Sequence, residues 1–316
     1  MRSPRNSPGA QSEARAVVIP SAPLIGVVIP THNRQDLLRQ TLQCLDRQDG
    51  FPGSFEVIVA DDGSSDGTAA YLESAVRSFH FDLRYLRLPG SGPAAARNQA
   101  LALVTAPRVL LLGDDTFPAA DLLARHREAA GQEDVGVQGR IEWDPEAPVT
   151  RVMQFLAPEG PQFYFKGLVD GEPIPYTLLY ASNFSAPTRW FREDPFDERF
   201  PNPAFEDTEL AFRWRRRGRT VIYSESAVCR HRHHYSSIEG FLQRQLSAGR
   251  AARYALRLHP TMAARTVLQP MAVGVLHAAR YLLRRLRGSA REEDRWDLLC
   301  RAAFFRGLLS RSRLAR

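Results

Sequence analysis

Two short apolar runs, each ending in a pair of aspartates, constrain this chain more than anything else in it. Phe55-Glu56-Val57-Ile58-Val59-Ala60 leads into Asp61-Asp62-Gly63-Ser64-Ser65-Asp66-Gly67-Thr68, and Arg108-Val109-Leu110-Leu111-Leu112-Gly113 leads into Asp114-Asp115. Apolar runs of that length, bounded by Gly and Asp, predict parallel strands covered on both faces. In an open α/β sheet, ligands bind beyond the carboxyl ends of the strands, where both acidic pairs fall. Adjacent carboxylates raise each other's pKa unless a cation or hydrogen bonds compensate. The pairs therefore point to a divalent metal and a phosphate-bearing ligand.

The flanking sequence supports that sheet. Ile25 to Pro30 reads as a first strand followed by Thr31-His32-Asn33-Arg34, and Leu37, Leu38, Leu42 and Leu45 mark an amphipathic helix over 36–48. A helix over 67–78, a strand over 83–88 and a helix over 94–104 behind Gly90-Ser91-Gly92-Pro93 complete the alternation. The expected class is α/β, a mostly parallel sheet covered by helices, with a C-terminal helical extension. Residues 134–180, rich in Pro, Gly and aromatics, read as shaping loops rather than sheet. Phe205 to Arg217 reads as a helix that starts acidic and ends basic, the order the helix dipole favours. Ser289 with Glu292 reads as a capping box for a last helix carrying Trp296, Leu298, Leu299, Phe304, Phe305 and Leu308. The expected organisation is a disordered leader over 1–22, a catalytic domain over 23–240 and the extension over 241–316.

Charge divides along the same line. Residues 241–316 hold sixteen Arg and four acids, +12, so the overall +7 leaves −5 for residues 1–240. An acidic body with a basic tail does not suit duplex binding, and no nucleic-acid partner is expected. Three widely spaced cysteines, Cys44, Cys229 and Cys300, support neither a disulfide framework nor a zinc site. Residues 1–14 lack the apolar segment of a signal peptide, and the uncharged stretch 266–279 is too short and polar to span a bilayer. The expected location is cytoplasmic, with the inner membrane face as a peripheral alternative. In 267–286, Leu268, Met271, Val275, Leu282 and Leu286 share a helical face beside Arg280, Arg284, Arg285 and Arg287. That face and the last helix either pack on the catalytic domain or on a second copy as a homodimer, or meet an anionic membrane.

Asp62, Ser64, Asp66, Gly67 and Glu73 fall on calcium-loop positions of an EF-hand, but a β-branched run precedes them where an entering helix is required. A lone Asp114-Asp115 pair also suits a solvated turn. Its company argues otherwise: Glu206 and Asp207 open a helix, and His231, His233 and His234 offer imidazole. Carboxylates with His suit Mn²⁺ or Mg²⁺.

Taken in order, VVIPTHNR, VADDGSSDGT, GPAAARNQAL, LLGDD, ASNFSAP, FDERFPNPAFEDTELAFRWRRRG and HRHHYSSIEGFLQRQ resemble the family-2 glycosyltransferases of the GT-A fold, over about residues 24–250. The resemblance implies that Pro30, Thr31 and Asn33 line the nucleotide pocket and that Asp62 holds the base or ribose. It further implies that Arg97 lies near the diphosphate, and that Asp114 and Asp115 form the metal motif, with Gly113 at a frequently acidic position. Asp207, with Glu206 beside it, is implied as general base and His231 as a metal-side histidine, with His233 competing. The implied activity is metal-dependent, inverting transfer of one sugar from a nucleotide-diphosphate sugar to an acceptor hydroxyl of a cell-surface glycan, glycolipid or metabolite. No Gln-x-x-Arg-Trp motif follows Gln243, which disfavours a processive synthase. The competing class is a non-catalytic nucleotide-sugar-binding or calcium-binding protein.

Overall fold

The computed structural model describes residues 22–51, 53–200 and 204–310. The expected leader, save its last residue, lies outside them. Four parallel strands, β1 (Ile25–Thr31), β2 (Phe55–Asp61), β3 (Asp82–Arg87) and β4 (Arg108–Leu112), are connected by α1 (Gln35–Asp46), α2 (Thr68–Ala75) and α3 (Pro93–Leu103). After β4 come β5 (Thr116–Pro118), α4 (Leu122–Ala130), β6 (Val135–Trp143), α5 (Arg151–Leu156), β7 (Asn183–Pro187), α6 (Thr188–Glu193), α7 (Glu206–Arg216) and β8 (Thr220–His231). Three long helices finish the described chain: α8 (Ile238–Leu258), α9 (Gln269–Leu286) and α10 (Glu292–Leu309).

All eight strands form one sheet in the order β3-β2-β1-β4-β7-β6-β8-β5. β7 runs antiparallel to β4 and β6, and β5 antiparallel to β8. The chain winds from β1 outward to β3, then returns to the other side of β1 at β4. That reversal leaves a crevice at the carboxyl ends of β1 and β4, the topological switch point where α/β proteins bind ligands.

Strand alternation explains why the helices cover both faces. Val27, Val57 and Leu110 pack on Leu38, Leu42 and Leu45 of α1, whereas Val28, Ile58 and Leu111 pack on the alanine-rich α3 and on α7. Burying a Leu or Val side chain contributes about 1.5–3 kcal/mol, so each strand residue is anchored by its own layer. A third cluster, built around Trp143, Phe163, Tyr235, Phe241 and Trp296, joins the sheet edge to the extension.

Three expectations change here. Residues 135–143 are not loop but β6, which lies between β7 and β8. Its glycines hid it: a Cβ at Gly136 would press on the Phe184 ring at 2.9 Å, and one at Gly139 would meet Asn183 and the Ala227 carbonyl. Only bare backbone fits there. The capping box is two residues later than read: α10 is capped by Arg291, whose N–H donates to Asp294 at 3.1 Å, while Ser289 Oγ turns back to the Arg284 carbonyl at 3.3 Å. Finally, α9 does not lay its apolar face on the sheet and its covering helices: no residue of α9 is fully buried.

By contrast, α8 and α10 clasp tightly. Cβ atoms at Gly249 and Gly307 would run into the backbone of the facing helix at Phe304 and Leu246. Two glycines thus set the approach distance, and α8 itself begins at Ile238, so a division at 240 falls inside its first turn. Gly249→Val should cost at least about 1–3 kcal/mol of stability by overpacking, seen as a lower denaturation midpoint, whereas Gly274→Ala in α9, whose Cβ would reach only Arg301 Cδ at 3.4 Å, should cost little.

Candidate active site

At the switch point, the end of β1 is bonded to the end of β4. Thr31 Oγ1 donates to Asp114 Oδ2 at 2.8 Å, and both residues are buried. Arg34, three residues beyond the strand, donates to Asp114 Oδ1 at 3.1 Å and to Asp115 Oδ2 at 2.5 Å. The backbone of the pair is held as well: Thr41 of α1 donates to the Asp114 carbonyl and the Arg232 N–H to the Asp115 carbonyl, each at 2.8 Å.

This environment separates the two acids. Burial and the neighbouring Asp115 push Asp114 up to about 6. Burial also opposes ionisation of Asp115, but His231 and Arg34 outweigh it and hold that carboxyl well below the usual range. His231, the last residue of β8, places Nε2 3.4 Å from Asp115 Oδ2. Trp143 and Phe163 wall its ring at 5.4 Å each, and its buried Nδ1 has no hydrogen-bond partner among the described residues. Of the competing histidines, His231 is therefore the one against the acidic pair. His233 stacks on it 5.8 Å away, and burial, then Arg244, lowers the His233 pKa to about 4.

Among the described residues no three His, Cys, Asp or Glu side chains form a ready metal cage. Asp115 and His231 nevertheless suit a divalent ion. Mg²⁺ binds at 2.0–2.1 Å in octahedral geometry, so adjacent ligands stand about 3 Å apart, near the 3.4 Å found between Oδ2 and Nε2. Such ions take few protein ligands and complete their shell with water and substrate phosphate. Arg34, a half-exposed side chain, supplies the compensating positive charge in this structure.

The nucleotide-side residues are pinned to one another. Asn33 sits at φ +52°, a left-handed conformation Asn tolerates better than most residues. From there its N–H donates to Ser64 Oγ at 2.9 Å and its Oδ1 accepts from the Ser65 N–H at 2.7 Å. Pro30 pairs with Ala60 in the register of β1 and β2. Asp62 accepts the N–H groups of Ser91 and Gly92 at 2.6 and 2.8 Å, shaping the loop before α3 with both carboxylate oxygens.

Across the crevice, α7 opens on Glu206-Asp207. Phe205 before it has φ +72°, a strained position for an aromatic residue. Arg97 does not stand free for a diphosphate: it donates to Glu206 Oε1 at 2.8 Å and lies over Phe196. Asp207 Oδ1 accepts from the Thr208 N–H at 2.7 Å, and Oδ2 lies 3.4 Å from the Ala181 N–H. The next residue, Ser182, accepts the Gly113 N–H at 3.3 Å. A short hydrogen-bonded path thus runs from Asp207 to the residue before Asp114. Burial and Glu206 raise the Asp207 pKa to about 6, with Arg97 opposing them. Beside α7, a cavity of about 320 Å³ lies against the C-terminal helices, lined by Phe205, Thr208, Gln245, Thr266, Cys300 and Arg301.

Sequence reasoning quoted Arg34 without giving it a role; a cation just past a strand end, facing two acids, was the available signal. Trp143 and Phe163 were hidden in the stretch read as loops.

A family model described as Glycosyl transferase family 2 matches residues 26–199, more than half of the chain. The chain belongs to glycosyl transferase family 2. Validoxylamine A glucosyltransferase of Streptomyces hygroscopicus subsp. limoneus is 32% identical over 235 residues, covering 65% of this chain and 51% of that protein. YfnE of Bacillus subtilis, an uncharacterized glycosyltransferase, is 38% identical over 118 residues, 37% of this chain and 29% of its own. This family-2 chain thus spans about half the length, or less, of these curated relatives. Among solved structures, mannosyltransferase PcManGT from Pyrobaculum calidifontis, in complex with GDP-Man and Mn²⁺, superposes with TM-score 0.65 at 17% identity, over 90% of this chain and 86% of that one. S. aureus TarS 1-349 with UDP gives TM-score 0.51 at 18% identity, over 90% and 88%. At such identities the likeness shows the fold, which is GT-A.

Thr31→Val removes the donor to a buried carboxyl while keeping the shape. It should destabilise the protein by about 1–3 kcal/mol in urea denaturation, and the loss should shrink when Asp114→Asn is introduced as well.

Proposed function

We propose that this family-2 chain transfers one sugar from a nucleotide-diphosphate sugar to an acceptor hydroxyl, with a divalent cation and inversion at the anomeric carbon. One observation carries the reading. Asp115 contacts His231, and Asp207, with its raised pKa, is linked toward the same acidic pair through Ala181, Ser182 and Gly113.

The chemistry assigns the two sides. Asp115 and His231 would hold Mn²⁺ or Mg²⁺, which when bound neutralises the negative charge that develops on the departing diphosphate. Thr31, Asn33 and the loop pinned by Asp62 shape the nucleotide side. Arg34 is placed to move from the carboxylates toward phosphate. Asp207 is the general base: an acceptor hydroxyl must lose its proton as it attacks, and a carboxyl near 6 is largely ionised at pH 7 yet basic enough to help. Glu206, occupied by Arg97, is a positioning residue that holds the start of α7. Displacement by the hydroxyl from the opposite face in a single step inverts the configuration. The cavity beside Thr208 offers the acceptor an approach between α7 and the extension. The acceptor in this reading is a glycan, glycolipid or metabolite; relatives named as a validoxylamine glucosyltransferase and a chondroitin synthase support the metabolite and glycan choices.

Two outcomes test this. Asp207→Asn should lower kcat by about 10²–10⁴-fold with donor affinity nearly unchanged; a loss under about tenfold would move the base elsewhere. For the wild type, kcat/KM should fall as pH drops through about 6, because the protonated carboxyl cannot accept a proton.

Chelation with EDTA should abolish transfer, with Mn²⁺ or Mg²⁺ restoring it. Asp115→Ala should weaken nucleotide-diphosphate binding measured calorimetrically with Mn²⁺ and leave metal-free binding little changed. Full activity in metal-free buffer would remove the cation from the reaction.

A further inference from the structure

α9 is mounted with its apolar face turned outward. At 3.6 residues per turn, Leu268, Met271, Ala272, Val275, Leu276, Ala279, Leu282, Leu283 and Leu286 form one stripe about 140° wide, and every one of them is exposed. Val275 and Leu276 are each 69% exposed and Leu286 is 85% exposed. The opposite face of the helix carries polar bonds to α10. The Pro270 carbonyl accepts from Arg301 at 3.3 Å, His277 Nδ1 lies 2.7 Å from Asp297, and Arg284 donates to both oxygens of Asp294 at 2.6 and 2.7 Å. A surface helix ordinarily buries its apolar stripe. Here the stripe is presented to the surroundings while salt bridges fix the helix to α10.

Charge selects the occupant. From His259 to Arg291 there is no acidic residue and there are six arginines. Arg280 and Arg287 flank the stripe on one side and Arg285 on the other, all exposed. A second copy of this helix would bring arginines against arginines along both flanks, whereas lipid phosphates would neutralise them. No helix of the described residues is long and apolar enough to cross a membrane, so the helix would lie in the interface plane. An apolar face with basic flanks is the pattern that sinks into the headgroup boundary.

We propose that the outer face of α9 docks this protein on an anionic lipid surface, with the leucine stripe among the acyl chains and Arg280, Arg285 and Arg287 on headgroup phosphates. This attachment does not depend on the transfer chemistry. It also gives the cavity beside Thr208, whose rim includes Arg265, Thr266 and Pro270 just before and at the start of α9, a position next to the bilayer.

The full chain should co-sediment with vesicles of phosphatidylglycerol and phosphatidylcholine at low salt, and far less with phosphatidylcholine alone. Each phosphate-facing arginine multiplies affinity by roughly fivefold, and raised salt should weaken binding as the Debye length shrinks. Val275→Glu with Leu283→Glu, both exposed positions, should cut binding about tenfold or more with unchanged circular dichroism and melting. Reversing Arg280, Arg285 and Arg287 to Glu should abolish the preference for anionic lipid. A wild-type chain that stays in the supernatant with anionic vesicles at low salt overturns the proposal, as does equal binding to both lipids. A concentration-dependent dimer in sedimentation velocity, dissolved by the Val275/Leu283 change in a chain that ignores vesicles, would assign the face to a second copy instead.

Discussion

Everything at the crevice depends on keeping two like charges side by side in a buried place. Asp114 and Asp115 are both less than a tenth exposed, and an uncompensated pair there would cost several kcal/mol. The compensation comes from three elements, Thr31 at the end of β1, Arg34 in the following loop and His231 at the end of β8, while Thr41 in α1 holds the Asp114 carbonyl. The parallel register of β1 and β4 is therefore tied to the chemistry. Moving either strand by one residue would take Thr31 off Asp114 and turn every buried strand residue to the wrong layer.

The same arrangement explains the unequal behaviour of similar residues. Asp114 and Asp207 are pushed up by burial and an acidic neighbour, while Asp115 is drawn down by His231 and Arg34. A fold that drives neighbouring carboxyl groups apart in proton affinity can use one as an anion and another as a proton acceptor at the same pH. Glu206 shows the complementary device: bonded to Arg97, it fixes the entrance of α7 and leaves the adjacent Asp207 turned toward Ala181.

Legibility from sequence followed the physics of each segment. β1, β2 and β4 were readable because both faces are covered, which makes their apolar runs continuous and their ends abrupt. β6 was not, since its closest neighbours, Phe184, Asn183 and Val221, leave room only for glycine at 136 and 139, and Arg140 and Glu142 pair with each other. The acids and His231 stood out by residue type, but their partners did not: nothing in the chain says that Asp62 would hold a loop by Ser91 and Gly92, or that Arg97 would lean on Glu206. The apolar stripe of α9 was fully visible, yet which way it faces is decided by Asp294 and Asp297 on a different helix.

The glycine clasp between α8 and α10 has a consequence for dissecting the protein. Trp296 and Cys300 of α10 share a cluster with Trp143, Phe163 and Tyr235, and Trp143 and Phe163 are the rings that wall His231. Removing the three C-terminal helices would strip the outer layer from those aromatics and wet the imidazole's surroundings. Such a fragment would expose a sticky apolar patch beside the crevice, so the extension belongs to the folding unit of the crevice and is not a detachable appendage.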